Sequence, residues 1–496
     1  MKKSNIVPIL ILVLLAVVGF WLRINDVFET TIYNGDEGRN YLFASRIWQG
    51  DLTLIGPAIS TVRFFLPPTW YYLVSIPLML GGWSINGPLL FMVLLGTAAI
   101  PLYFFIGKMA SGKSVGGLFA ATFFALSPYS INAARTTGNH VMIPALSGLY
   151  FYFLIRFFKN KKENDLVIAS AVLGFAFSFH FSLLVLVVGQ VAIICFINKN
   201  LEPFNILKKI VPHLLLLGLW WLPIVLFDLR NSFINFKGFW WYLSRGDVNE
   251  LRNVVGQGDW SVVNNLRVGL YFFRNFIGIK MFEVWVFHLI AVIGGILLFI
   301  RRQGVYFSTR KIAIALFGLI MLFGGSFLFY KGYVAEHFFY PILPAYYVIL
   351  SLFLIQISGR IWWLILVALL ILPYRLLSQD AYAASFRRPK LVEWVSGQIS
   401  EDLLKIDNQQ KYSIFLKKSQ EFWSVAYEYK YLVETTTKRR AVDIHSYSDA
   451  DILYVVSEIK TDDPLKIGNW EVTSFNPKKV DWGKEIGQYK LFRLSK

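Results

Sequence analysis

Cysteine is nearly absent: Cys195 stands alone in 496 residues, inside an apolar run. One thiol forms no intramolecular disulfide, so no disulfide framework holds this chain and the redox compartment goes unmarked. Charge is scarce too. Asp, Glu, Lys and Arg make up 16% of the residues, against about a quarter in ordinary soluble proteins. That shortage argues against a soluble enzyme. A phosphate-cradling glycine loop is also missing. Lys108-Met-Ala-Ser-Gly-Lys113 lacks the spacing and falls in a turn between apolar runs. No nucleic-acid motif, internal repeat or low-complexity tract is visible.

What is present is apolar: 56% of residues are hydrophobic and 17% aromatic. Several uninterrupted runs reach about 20 residues, enough to cross a bilayer. The formal charge of +18 invites a nucleic-acid partner, but topology explains it better, because Lys and Arg gather on the cytoplasmic side. The reading is an α-helical polytopic membrane protein with no nucleic-acid partner.

Met1-Lys2-Lys3 precedes an apolar run from Ile6 to Trp21 that lacks a small-residue cleavage site, so it reads as a retained first helix with its amino end in the cytoplasm. Ten further spans follow at 85–107, 114–132, 140–157, 165–181, 182–197, 210–228, 281–300, 312–330, 337–357 and 361–378. The fourth and fifth of these come from splitting an apolar stretch at Phe179-His180-Phe181-Ser182, because it is too long for one comfortable helix. With the split, Lys159, Lys161, Lys162, Arg301, Arg302, Arg310 and Lys311 share the inner side, and the short outer turns keep only Arg135 and Lys331. About eleven spans result, with the amino end inside and the carboxyl end outside. Residues 69–82 are short, contain Pro77 and carry Trp70, Tyr71 and Tyr72, which suits a helix lying at the membrane surface.

Two outer segments are long. Residues 24–84 form the first. Residues 229–280 form the second, rich in Trp and Phe near Phe236–Tyr242, with Asp247, Glu250 and Asp259, and read as partly helical. After Ser378 the composition turns mixed and charged. The expected domains are 1–378 in the membrane and 379–496 as a soluble extracytoplasmic α/β domain, large enough for its own core. Lys390–Leu404 and Ser419–Leu432 read as helices. Tyr412–Leu416, Asp451–Val456 and Gln488–Arg493 read as strands.

The adjacent carboxylates Asp36 and Glu37 stand out in the first outer segment. Gly35 and Gly38 flank them and allow close approach of another group. A paired acid there is placed to take a proton from a hydroxyl or amine, or to hold a divalent cation such as Mg or Mn. A solvated loop, or a helix start where acids are favoured, explains the pair equally well. The same outer face receives Arg63, Arg135, His140, Asp228, Arg230, Glu336 and His337. Each has a bland reading: Arg135 and Arg230 snorkel to headgroups, Asp228 pairs with Arg230, and His180 and His213 serve packing or core hydrogen bonds. Asp443, His445 and Asp449 read as a polar turn.

Carboxylates and arginines beside a membrane suit a lipid-linked phosphate donor. Guanidinium groups offer charge-assisted hydrogen bonds to phosphate oxygens and stabilise the departing lipid phosphate. A carboxylate deprotonates the acceptor, which attacks the anomeric carbon from the opposite face and inverts it.

In motif order the chain resembles the GT-C glycosyltransferases of family 39, which include protein O-mannosyltransferases and lipid A aminoarabinose transferases. The matching residues are Asn34-Gly-Asp-Glu-Gly-Arg39, Gly56-Pro57, Pro67-Pro-Thr-Trp-Tyr-Tyr72, Ser127-Pro128 through Arg135, Asp228-Leu-Arg-Asn231, and Glu336 through Pro344. The resemblance implies a GT-C-like membrane domain over 1–378, a polyprenyl-phosphate sugar donor, and a catalytic acid in the first outer segment. Asp36 takes that place, with Glu37 beside it. Arg63 resembles the family's basic residue near the donor phosphate, and Arg135 and Arg230 are set with it. Tyr33, Arg39, Asn139, His140, Asp228, Glu336, His337 and Tyr340 are expected around the cavity. Where family members often carry a second acid after Arg135, this chain has Asn139-His140.

The expected function is transfer of a sugar from a polyprenyl-phosphate donor to an extracytoplasmic lipid, glycan or protein, by a multi-pass cell-membrane enzyme. A flippase of lipid-linked sugar predicts repeats and midplane charges, which are not seen. A polymerase or ligase using a diphosphate-linked donor shares the setting.

Overall fold

The computed structural model describes residues 6–59, 64–245, 257, 259–277, 307–358, 389–418, 425–459, 463–487 and 489–496. Nine of the eleven expected spans fall on these residues, and each is helical there. The spans at 281–300 and 361–378 lie outside the described residues, as do Arg63, Arg301 and Arg302.

Among the described residues, six helical stretches are long and apolar enough to cross a membrane: Ile6–Thr30, Asn86–Ser111, Asn139–Asn160, Pro203–Arg230, Thr309–Leu328 and Glu336–Gln356. A seventh is the pair Ser114–Leu126 and Pro128–Ala134, bent by 58°. The architecture is a multi-pass α-helical membrane protein with a small C-terminal α/β part. Thr69–Leu80 is a helix of 12 residues, or about 18 Å, too short to cross a hydrocarbon core of about 30 Å.

The chain divides into two compact units. One comprises residues 1–25, 53–70 and 89–383; the other comprises 26–52, 71–88 and 384–496.

In the first unit, α1 is Ile6–Ile24 and α2 is the bent pair's first half, Ser114–Leu126. The bend follows from Pro128, which has no N–H to give to the carbonyl of Phe124. That carbonyl is taken over by Arg23 Nη2 at 3.2 Å and by the Ser130 hydroxyl. Arg23 Nη1 bonds the Ala125 carbonyl at 3.1 Å, and its Nη2 also donates to Ser130 Oγ at 3.0 Å. A wholly buried arginine thus holds α1 against the broken end of α2.

The 166–197 stretch breaks where expected. Helix α3, Glu163–Phe177, stops before Phe179. A 3-10 turn at Phe181–Leu183 leads into α4, Leu184–Ile197. His180 caps that turn: its Nδ1 accepts the backbone N–H of Ser182 at 3.2 Å. Between these helices runs a buried polar chain, Tyr150 hydroxyl to Gln190, Gln190 to Ser170, Ser170 to His213 Nδ1, at 3.1, 2.8 and 2.8 Å. His213 is thus the hydrogen-bonded core residue anticipated. In the segment 229–280, α5 is Ile234–Arg245 and α6 is Val262–Ile277, so it is partly helical.

In the second unit, four strands order β1-β2-β4-β3: β1 Tyr412–Lys417, β2 Ile452–Ser457, β3 Lys479–Ile486 and β4 Tyr489–Ser495. β1 and β2 are parallel, and β4 runs antiparallel to both its neighbours. Phe415, Leu453, Val455, Tyr447, Val472, Phe475 and Leu494 form one buried cluster. The expected strands are present, and Lys390–Leu404 corresponds to helix Pro389–Leu403, labelled α7. Two details differ from the expectation, with residues 419–424 outside the described residues. Over the described part of the expected Ser419–Leu432 helix, the helix runs from Tyr427 to Thr437, beginning after Ala426, which takes a left-handed conformation at φ 57°; this helix is α8. Strand β3 was unanticipated, since Lys479, Asp481, Lys484 and Glu485 make it a polar edge strand.

Candidate active site

The carboxylate pair opens a 13-residue helix, Gly35–Ile47, here α9 although it precedes the others of its unit in the chain. Its start is written locally. Asn34 is the N-cap in extended backbone, and its Oδ1 accepts the N–H of Asp36 at 2.8 Å. Glu37, three residues on, reaches back so that Oε2 accepts the Asn34 N–H at 3.2 Å. This is a capping box. The helix-start alternative is therefore realised, and it separates the two acids.

Glu37 is buried and spent on the cap. Burial pushes its carboxyl up to about 8, and the neighbouring Asp36 carboxylate adds to the rise. Asp36 points the other way: its side chain is 56% exposed, and Arg39 Nη2 holds it at 3.0 Å. Arg39 is 14% exposed and also hydrogen-bonds the Tyr71 hydroxyl, whose own ionisation burial pushes up to about 12. Of the two acids, Asp36 is the one open to a substrate. Tyr33 is buried, with its hydroxyl donating to the Glu428 carbonyl at 3.1 Å.

The remaining expected residues lie in the first unit. Arg135 is buried, and its Nη1 donates to the carbonyls of Leu22, Arg23 and Asn25 at 3.3, 3.2 and 2.7 Å. It closes the carboxyl end of α1 instead of snorkelling. The Asp228 carboxylate accepts the N–H groups of Asn235 and Phe236 at 2.7 and 2.9 Å, capping α5. No ion pair between Asp228 and Arg230 occurs among the described residues; Arg230 is exposed at the end of its helix. Asn139 donates to the Phe179 carbonyl at 2.6 Å.

Three histidines converge. The His140 and His337 rings stack at 4.2 Å, and His180 lies edge-on to His337 at 4.9 Å. Tyr340 is 6.2 Å from His140, and Glu336 begins the turn carrying His337. The structure brings His140 and His337 together, and His180 joins them, a placement its apolar sequence setting concealed. Among the described residues, no group of three or more His, Cys, Asp or Glu is arranged to hold a metal ion.

Arg63 itself lies outside the described residues, but its flanks form a pinned hairpin. Ile59 N–H bonds the Phe64 carbonyl at 3.1 Å, and Gly56 N–H bonds the Leu66 carbonyl at 2.7 Å. Asn235 Oδ1 accepts the Phe65 N–H at 2.5 Å. Gly56 is required there, since a Cβ would stand 2.1 Å from the Pro67 carbonyl oxygen.

Residues 66–227 match the family described as dolichyl-phosphate-mannose-protein mannosyltransferase. The fold is similar to that of ArnT from Cupriavidus metallidurans bound to undecaprenyl phosphate, with a TM-score of 0.61 and 13% identity over 99% of this chain and 98% of that one. The same protein in the apo state gives a TM-score of 0.58 at 12% identity, with the same coverage of both chains. No curated protein matches the sequence significantly. The comparisons therefore give a fold like that of ArnT over nearly the whole chain, and a match of residues 66–227 to the mannosyltransferase family pattern. The matched stretch includes Pro67–Tyr72 and Ser127–Arg135, two of the motifs that carry the family-39 resemblance.

Proposed function

We propose that this protein transfers a sugar from a polyprenyl-phosphate donor to an acceptor outside the cytoplasm, with inversion at the anomeric carbon. The amino end lies in the cytoplasm and residues 379–496 lie outside. The observation that carries the reading is Asp36: an exposed carboxylate at the first turn of a rigidly capped helix, held by one arginine. The similarity in fold to a protein solved with undecaprenyl phosphate supports the donor class.

In this scheme the Asp36 carboxylate takes the proton of the acceptor hydroxyl or amine. The acceptor atom bonds to the anomeric carbon as the bond from that carbon to the phosphate oxygen breaks. The electron pair leaves with the lipid phosphate, whose growing charge calls for guanidinium partners, and Arg63 and Arg230 have the chemistry for that part. Arg135, already serving three carbonyls, has the smaller part. Glu37 keeps the helix start in place.

The test supplies reconstituted protein with a panel of labelled polyprenyl-phosphate monosaccharides and a membrane extract as acceptor. Label should move from lipid to acceptor with wild type. Label that only changes leaflet would establish a flippase and overturn the reading. Transfer from diphosphate-linked oligosaccharides alone would establish the polymerase or ligase instead.

A further inference from the structure

The second unit binds the acid-bearing helix from the carboxyl-terminal part of the chain. Helix α9 crosses α8 so closely that a Cβ on Gly38 would stand 2.3 Å from both the backbone N and the Cα of Glu428. Gly38 is two residues from Asp36. No side chain other than hydrogen fits there without moving one helix off the other. Further contacts surround and fix the pair. The Tyr33 hydroxyl donates to the Glu428 carbonyl at 3.1 Å, just before α9 begins. Tyr41 meets Tyr431 edge-on at 5.5 Å, and the Tyr431 hydroxyl donates to the Trp83 carbonyl at 2.6 Å. At the far end, Arg46 Nη2 reaches Glu434 Oε1 at 2.8 Å, and the same oxygen accepts the Ala441 N–H at 3.1 Å. Glu434 is only 9% exposed, so this pair is shielded from the screening that weakens surface ion pairs. Tyr427, the first residue of α8, interacts electrostatically with Arg39, the residue that holds Asp36.

We infer that α8 is a positioning element for the transfer reaction: Gly38 seated on Glu428, with Arg46 bound to Glu434, sets where Asp36 stands. The inference rests on Asp36 being the base. It gives the carboxyl-terminal part a place in catalysis although it has no catalytic motif of its own. A misplacement of about 1 Å in a reacting group is enough to cost about 100-fold in rate, so the effect is on turnover rather than on donor binding.

The experiment uses the full chain in lipid nanodiscs and measures kcat and donor KM for wild type, Asp36→Asn, Glu434→Gln, Arg46→Ala, Gly38→Ala and the swap Arg46→Glu with Glu434→Arg. Hydrogen exchange of the α9 amides is measured alongside. The expected result is a drop in kcat of about 10-fold for Arg46→Ala and more for Gly38→Ala, with donor KM within about twofold, faster α9 exchange, and partial recovery in the swap. Glu434→Gln keeps an acceptor for the Ala441 N–H, folds most readily, and should lose about three- to fivefold in kcat. The inference is overturned if Asp36→Asn is inactive while the others keep wild-type kcat. It is overturned too if kcat and donor binding fall in step with the folded fraction, with no change confined to α9. If Asp36→Asn is fully active, it is the proposed function that has failed, and the base must be sought elsewhere.

Discussion

In the apolar unit, charged and polar side chains are spent on the backbone. Arg23 takes the carbonyls left by the Pro128 break, Arg135 takes the last carbonyls of α1, and Asp228 takes the first amides of α5. In the second unit the carboxylate of Asp36 is bound by one side chain and is more than half exposed. The contrast follows from solvation. A helix end buried in the protein cannot leave its terminal groups to water, so a charge that closes it is worth its desolvation. The start of α9 is capped by Asn34 and Glu37, and this leaves the Asp36 carboxylate available. A charged residue near a membrane is therefore weak testimony to chemistry until its partners are known.

The contrast can be broken or sharpened by substitution. The largest stability effect should come from Glu37. Burial raises its carboxyl from the ordinary 4.5 to about 8, so the fold favours the protonated form. Its stabilising share is complete below about pH 4.5 and is lost as pH rises through 8. Glu37→Gln keeps a capping oxygen and carries no charge. Thermal unfolding should show it level with wild type at pH 5 and more stable by on the order of 3 kcal/mol at pH 9. Arg23→Ala should follow, at about 2–3 kcal/mol, because it strips hydrogen bonds from the broken end of α2; the check is unfolding in detergent. Asp228→Ala uncaps α5 and should cost about 2 kcal/mol. Arg230→Gln, exposed at its helix end, should change stability by less than about 0.5 kcal/mol while weakening transfer. A large stability loss there would place Arg230 with the structural charges.

Much of this was legible in the sequence, for physical reasons that differ by region. Spans follow from length and apolarity, and the break at His180 from a stretch too long for one helix. Three strands followed from alternation and buried β-branched or aromatic residues. Helix α9 was less visible, since Gly35, Gly38 and Asn40 weaken its propensity; its signal was Asn34 with Glu37 three positions on. Arg23 looked like an ordinary flanking charge at the end of an apolar run. Only the distant Pro128 gives it a task, and pairings about a hundred residues apart leave no local pattern. The burial of Glu37 beside exposed Asp36 was equally hidden, because adjacent residues on a helix face different ways.

The most direct test compares Asp36→Asn with Glu37→Gln in one reconstituted transfer assay at pH 7. Asp36→Asn should lose at least about a thousandfold in kcat, roughly 4 kcal/mol of barrier, while Glu37→Gln stays within about fivefold of wild type. Loss in Glu37→Gln with activity kept in Asp36→Asn would reverse the roles of the two acids and contradict the account.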